Sequence, residues 1–122
     1  MEELEHFVET LRADVEARCN CPVHRNKEVF KNGSYHLRKP QALGKGVFAY
    51  IRWIIQGRVV PDRCFEIEVK EKYAIKAGVA HFDRRNDNGC HNEPARYWWV
   101  LEGSHQTYNR AVAALSKICQ VR

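Results

Sequence analysis

Residues 64–70 read Cys-Phe-Glu-Ile-Glu-Val-Lys, and in this stretch Phe65, Ile67 and Val69 alternate strictly with Glu66, Glu68 and Lys70. A period of two puts the first set on one face of a β-strand and the second on the other. The expected element is a strand with one buried face and one wet face, and any strand paired beside it should share that division. The stretch Ala95–Glu102, ARYWWVLE, has the highest aromatic and β-branched content of the chain and is the strongest strand by propensity. Its parity separates Tyr97, Trp99 and Leu101 from Arg96, Trp98, Val100 and Glu102. Taking the first set as the core face leaves Trp98 beside Arg96 on the opposite side.

Helical periodicity brackets these strands. Leu4, Phe7, Val8, Leu11 and Val15 form an apolar stripe, with Glu2, Glu3, Glu5 and Glu9 favourably placed in the first turns. Asn20 and Pro22 stop that helix near Arg18. Ser104 is a candidate N-cap for a second stripe of Tyr108, Ala111, Val112, Leu115, Ile118 and Cys119. Asn32-Gly33, between runs holding Val29, Phe30, Tyr35 and Leu37, predicts a tight hairpin over 28–38. After Pro40, the apolar residues of 47–55 cover most of a helix circumference and predict a buried helix with Lys45, Arg52 and Gln56 on its polar edge. Tyr73, Ile75 and Val79 suggest a strand toward Phe82, weakened at Gly78, and Arg84–Gly89 reads as a loop. The expectation is a single α+β domain over 1–122, a mostly antiparallel sheet with helices packed on one face, in the rough order α-ββ-α-βββ-α.

A chain of 122 residues with 44% hydrophobic content can build one core. The acidic amphipathic start is unlike a secretory signal, and the apolar cluster around 47–55 is broken by Arg52, so neither export by a signal peptide nor a membrane span is expected. Five cysteines are an odd number for a disulfide framework, which points to a reducing, cytoplasmic setting. The net charge of +5 is unevenly spread: residues 1–18 hold six acids and two bases, whereas residues 25–63 hold nine bases and two acids. Such concentration marks an anion-binding surface or a solvated basic one.

Cys19, Cys21 and His24 in the stretch CNCPVHR offer three soft ligands, and Cys90 or His91 could supply a fourth, which would make one structural zinc. The alternative is free thiols at a helix end, with no cofactor. Cys64 and Cys119 sit on apolar patterns and read as plain buried thiols. His36 and His81 are candidates for a metal-independent RNase, one as base and one as acid, with Arg38, Arg84 or Arg85 steadying the phosphate. Gly-x-Ser-x-Gly, His-Glu-x-x-His and a Walker loop are absent, and Gly44-Lys45-Gly46 alone is a weak phosphate signal.

The leading expectation is a small nucleic-acid-binding protein, RNA before DNA. Arg25, Lys27, Lys31, Arg38, Lys39, Lys45 and Arg52 would meet phosphates, in a basic segment that also contains Arg58 and Arg63. Trp98 with Arg96 would form a stacking platform for an unpaired base. The alternative is a protein-binding module or inhibitor that docks on a larger enzyme, steered by the acidic first helix and the basic middle.

Overall fold

Leu4, Val8, Leu11, Val15 and Cys19 all fall on the buried stripe of helix α1 (Glu2–Cys19), the first element of a computed structural model that describes residues 2–39, 46–54, 64–89, 92–101 and 104–121. The remaining elements are β1 (His24–Arg25), β2 (Ser34–Arg38), β3 (Val47–Ile54), β4 (Cys64–Lys70), α2 (Glu71–Lys76), β5 (Arg84–Asn86), β6 (Ala95–Leu101) and α3 (His105–Cys119). The strands form one antiparallel sheet in the order β1-β2-β3-β4-β6-β5. Helices α1 and α3 pack together on one face of it. The core there is closed by Tyr35 and Leu37 of β2, Ala49 and Ile51 of β3, Ile67 and Val69 of β4, and Trp98 and Val100 of β6. Full burial of each such side chain contributes about 1.5–3 kcal/mol relative to exposure. The expected α+β class, antiparallel sheet and one-sided helices are all present.

Within that class two segments differ from expectation. Val47–Ile54 is a strand, the third in the sheet, where a helix was expected. Ala49 and Ile51 face the helices while Tyr50 is buried on the opposite face. A strand with apolar side chains on both faces lacks a clear alternation, so its pattern resembles that of a buried helix, and its β-branched and aromatic content decides between them. A register shift at Leu37/Arg38, which face Ala49 and Val47, leaves Phe48 as the extra residue of a bulge, and Phe48 joins the core.

The second difference is at 71–79, a short helix with a turn where a strand was expected. Gly78, at φ +73°, donates to the Ile75 carbonyl while Val79 donates to the Ala74 carbonyl. This is the Schellman pattern that ends a helix on a left-handed glycine, and both Ala74 and Val79 are buried, as often accompanies it.

The hairpin expected over 28–38 is also redrawn. A turn does form at 30–33, closed by the Gly33 N–H on the Phe30 carbonyl, but only Gly33 takes a positive φ. On the edge away from β3, β2 pairs not with Val29 and Phe30 but with His24–Arg25, which stand opposite Arg38 and Leu37, and Val29 and Phe30 are exposed. Arg84–Asn86, expected as loop, is a short edge strand on β6. Ser104 stands at the N-cap of α3, although its hydroxyl makes no capping bond. No described helix is long and apolar enough to cross a membrane.

Candidate functional site

On the face of the sheet away from α1 and α3, here the far face, antiparallel pairing aligns side chains from several strands in rows. Ser34, Arg52, Glu66 and Trp99 stand in one row, and His36, Tyr50, Glu68, Tyr97 and Arg84 in the next. The glutamates expected on a wet face are buried, with Glu68 only 1% exposed. They tolerate this because each has partners. Arg52 Nη2 donates to Glu68 Oε1 at 3.2 Å, and the Tyr97 hydroxyl donates to Glu68 Oε2 at 2.9 Å. Trp99 Nε1 donates to Glu66 Oε2 at 3.1 Å, and Arg52 Nε lies 3.5 Å from Glu66 Oε1. Burial raises the pKa of Glu66, partly offset by the Trp99 bond and the Arg52 charge. Burial, together with the charge and hydrogen bond of Glu68, pushes the Tyr97 phenol well above its ordinary range. The Arg84 guanidinium lies 5.8 Å from the Tyr97 ring centre and 5.9 Å from that of Trp99.

Arg52, Glu66, Glu68, Arg84 and Tyr97 line a polar cleft of about 370 Å³ whose rim includes Asn32, Asn86 and Asn88. That size accommodates one small polar ligand or one base. Gly89 forms part of its wall, where only a glycine fits. A Cβ at this position would lie 2.4 Å from the Ala95 Cβ and 2.7 Å from Glu68 Oε2. Beside the cleft, the Phe30 ring stacks on His36 at 4.3 Å between centroids and 27° between planes, and His36 meets Tyr50 edge-on at 4.7 Å. Phe30 is 47% exposed, which leaves one side of this short aromatic stack open. Exposed Lys27 and Lys31 flank Phe30 in the same loop, and exposed Arg38 lies two residues beyond His36 on the same face.

The expected phosphate contacts therefore divide. Lys27, Lys31 and Arg38 are exposed. Arg25 is instead held by Glu9 at 2.9 Å and Glu5 at 3.3 Å, and Lys39 Nζ donates to the Cys119 carbonyl. Arg52 belongs to the cleft. Arg96 pairs with Glu71 and donates to the Val79 carbonyl, on the helix-covered side. Lys45, Arg58 and Arg63 lie outside the described residues.

The stacking role expected of Trp98 is corrected. It is 2% exposed and packs in the core, because the inward parity of β6 is Arg96, Trp98 and Val100. Both parities of ARYWWVLE are apolar enough to be core, so the segment alone could not choose between them. The histidine pair is also corrected: His36 is on the far face, whereas exposed His81 borders Arg110 and Lys117 of α3 on the other side. Of its expected cations, Arg84 serves the cleft and Arg85 pairs with Glu71 and Asp87.

A second cluster lies at the ends of the helices. Cys19 and Cys119 are the last residues of α1 and α3, and their Sγ atoms are 3.4 Å apart. Cys21 Sγ completes a triangle, 2.9 Å from Cys19 and 3.5 Å from Cys119. Asn20, at φ +52°, makes this possible by turning the chain through the left-handed region, which asparagine tolerates better than most residues. Burial raises the pKa of the Cys19 and Cys119 thiols, and neighbouring Cys21 raises both further. Cys21 is lowered: burial opposes ionisation, but hydrogen bonds from the other two thiols and the nearby Lys39 charge outweigh it.

These three cysteines could hold a metal ion. The expected set was Cys19, Cys21, His24 and Cys90. The structure brings the first two together, replaces His24, which is exposed and stands apart from the cluster, with Cys119, and does not describe Cys90 or His91. Cys119 carries no local signal, since its partners are about a hundred positions away in sequence. No family model matches the chain, and no curated protein or solved structure matches it either.

Proposed function

We propose that this protein binds single-stranded nucleic acid, RNA in preference to DNA, across the far face of the sheet. The observation that carries this reading is the half-exposed Phe30 ring stacked on His36 beside a polar cleft. An unpaired base stacks on Phe30, a geometry that contributes about 1–3 kcal/mol per base. Lys27, Lys31 and Arg38 meet phosphates at the rim. The floor is not a phosphate site, because Glu66 and Glu68 balance Arg52 and Arg84 there. Its amide and carboxylate groups instead suit base edges and 2′-hydroxyls. A duplex keeps its bases inside and cannot use such a platform.

The protein-docking alternative stands second because the acidic pole it needs is largely neutralised by ion pairs at the surface. Glu5, Glu9 and Glu16 of α1 pair with Arg12 and Arg25. The test is fluorescence anisotropy with a labelled single-stranded RNA, the matching DNA strand and the duplex. The reading expects RNA to bind before DNA, duplex to bind weakly, and affinity to fall steeply with salt. Replacing Lys27, Lys31 and Arg38 together by alanine should lower both affinity and salt slope while leaving the circular dichroism unchanged. Equal binding by the triple variant and the parent would remove the reading.

A further inference from the structure

We propose that Cys19, Cys21 and Cys119 bind one zinc ion that ties together the C-terminal ends of α1 and α3. Sulfur–sulfur distances of 2.9, 3.4 and 3.5 Å define a triangle small enough for one ion to touch every corner. An ion lying about 1.3 Å out of the plane of the three sulfurs would be about 2.3 Å from each, the usual zinc–thiolate length. Spreading the sulfurs to about 3.8 Å apart as the ion enters makes this the tripod of a tetrahedral site with its fourth corner free. An open hollow beside half-buried Cys21, lined by Ala13, Glu16, Ala17, Asn20 and Pro22, gives the ion a way in and a water the fourth corner. Buried Cys19 and Cys119 close the other sides.

The surroundings favour a cation. Two helices end at the triangle, and each presents the negative end of its dipole there. Three thiolates without a counter-ion would be strongly disfavoured in that field, and an ion removes the conflict. On binding, each thiol gives up its proton to solvent and each sulfur donates a lone pair, so Zn²⁺ with three thiolates carries one net negative charge. The Lys39 ammonium, fixed by its 3.0 Å bond to the Cys119 carbonyl, is placed to offset it. The site lies at the helix ends and shares no residue with the far-face cleft, so its test is independent of nucleic-acid binding.

Reduced, metal-stripped protein is titrated with Zn²⁺ and followed by native mass spectrometry, with Co²⁺ as an optical probe of thiolate ligation. The parent is expected to take up one zinc per chain, to show a cobalt–thiolate charge-transfer band, and to gain thermal stability with zinc. Cys119→Ser and Cys21→Ser should each lose the ion and the zinc-dependent shift, while Cys64→Ser keeps both. Cys21 is only half buried, so its variant tests the site even if the Cys119 variant folds poorly. Zinc uptake unchanged in Cys21→Ser would overturn the proposal. So would reduced parent that takes up no zinc and, when oxidised, is lighter by two hydrogens, which would make the triad a disulfide with a spare thiol.

Discussion

The two faces of the sheet are buried by different means. On the helix-covered face, α1 and α3 press Leu4, Val8, Leu11, Leu115 and Ile118 onto Ile51, Ile67 and Trp98, an apolar contact that needs no particular partner for each atom. On the far face Glu66, Glu68 and Tyr97 are nearly as inaccessible, but each is held by a named donor or acceptor. The first arrangement fixes the fold through apolar contacts that are themselves insensitive to pH. The second is costly to disturb at a single atom, and it leaves polar groups poised around a cleft, which is what a recognition surface needs.

The largest effect should come from the helix-covered face. Trp98→Ala is expected to cost about 3–5 kcal/mol, read as a drop in urea midpoint, because it opens a cavity. Trp98→Phe should cost far less. It keeps most of the volume and removes a buried Nε1 donor that has no partner among the described residues. A Phe variant as unstable as the Ala variant would mean that the indole N–H does have a partner.

Next comes Glu68→Ala, which strips Arg52 and the Tyr97 hydroxyl of one shared acceptor. The expected cost is about 2–4 kcal/mol by the same assay. A loss below that of an ordinary surface substitution would show that the far-face network is loose. Gly89→Ala should follow at about 1–3 kcal/mol, since the new Cβ would clash with both Ala95 and Glu68 and something must shift. Loss of ligand binding beyond the stability change would place the displaced wall in the cleft.

The smallest effects are those of pH, and they differ in sign between regions. Glu9, on the helix side, is brought to about 2 from an ordinary 4.5 by its hydrogen bond to Arg12 against burial, with Arg25 helping. A lowered carboxylate stabilises the fold above its unfolded value, and that stability is lost as pH falls from 4.5 toward 2. Because the Glu9 side chain is 45% exposed, solvent screening limits its share to about 0.5–1 kcal/mol. Glu9→Gln should therefore flatten the acid limb of the stability curve. Glu66 is raised by burial, so the folded state holds its proton more tightly, and stability falls as pH rises above 4.5. Glu66→Gln should remove that decline and be no less stable than the parent at neutral pH. Urea midpoints between pH 3 and pH 7 check both, and a parallel acid limb in the two variants would contradict the assignment.

Much of this division was legible in the residues, but not all. The α1 and α3 stripes, the β4 alternation and the β6 segment all stand where their patterns put them. Alternation in β4 tells which residues share a face but not whether water reaches it, so Glu66 and Glu68 looked wet until Arg52, Tyr97 and Trp99 were seen to meet them. β3 and β6 carry apolar side chains on both faces although helices cover only one, and such a segment has neither a clear period nor a clear parity. Gly78 was visible, but it marks the end of α2 and not a weakened strand. At the sites, the basic loop of Lys27 and Lys31 could be read locally, as could the Cys19–Cys21 pair. The cleft joins residues of four strands, and Cys119 reaches Cys19 only through packing of the two terminal helices, so neither assembly has a local signature.

The far face, and not the helix-covered face, is the proposed recognition surface. Its most direct test is the affinity of single-stranded RNA for Phe30→Ala beside that for Ile75→Ala, measured by anisotropy at one salt concentration. Both side chains are exposed and apolar, but Ile75 belongs to α2, which packs against α3. Loss of one stacked base predicts an affinity lower by about 5- to 150-fold for the Phe30 variant, with the Ile75 variant matching the parent. Equal affinities for all three, or a loss confined to Ile75→Ala, would contradict it.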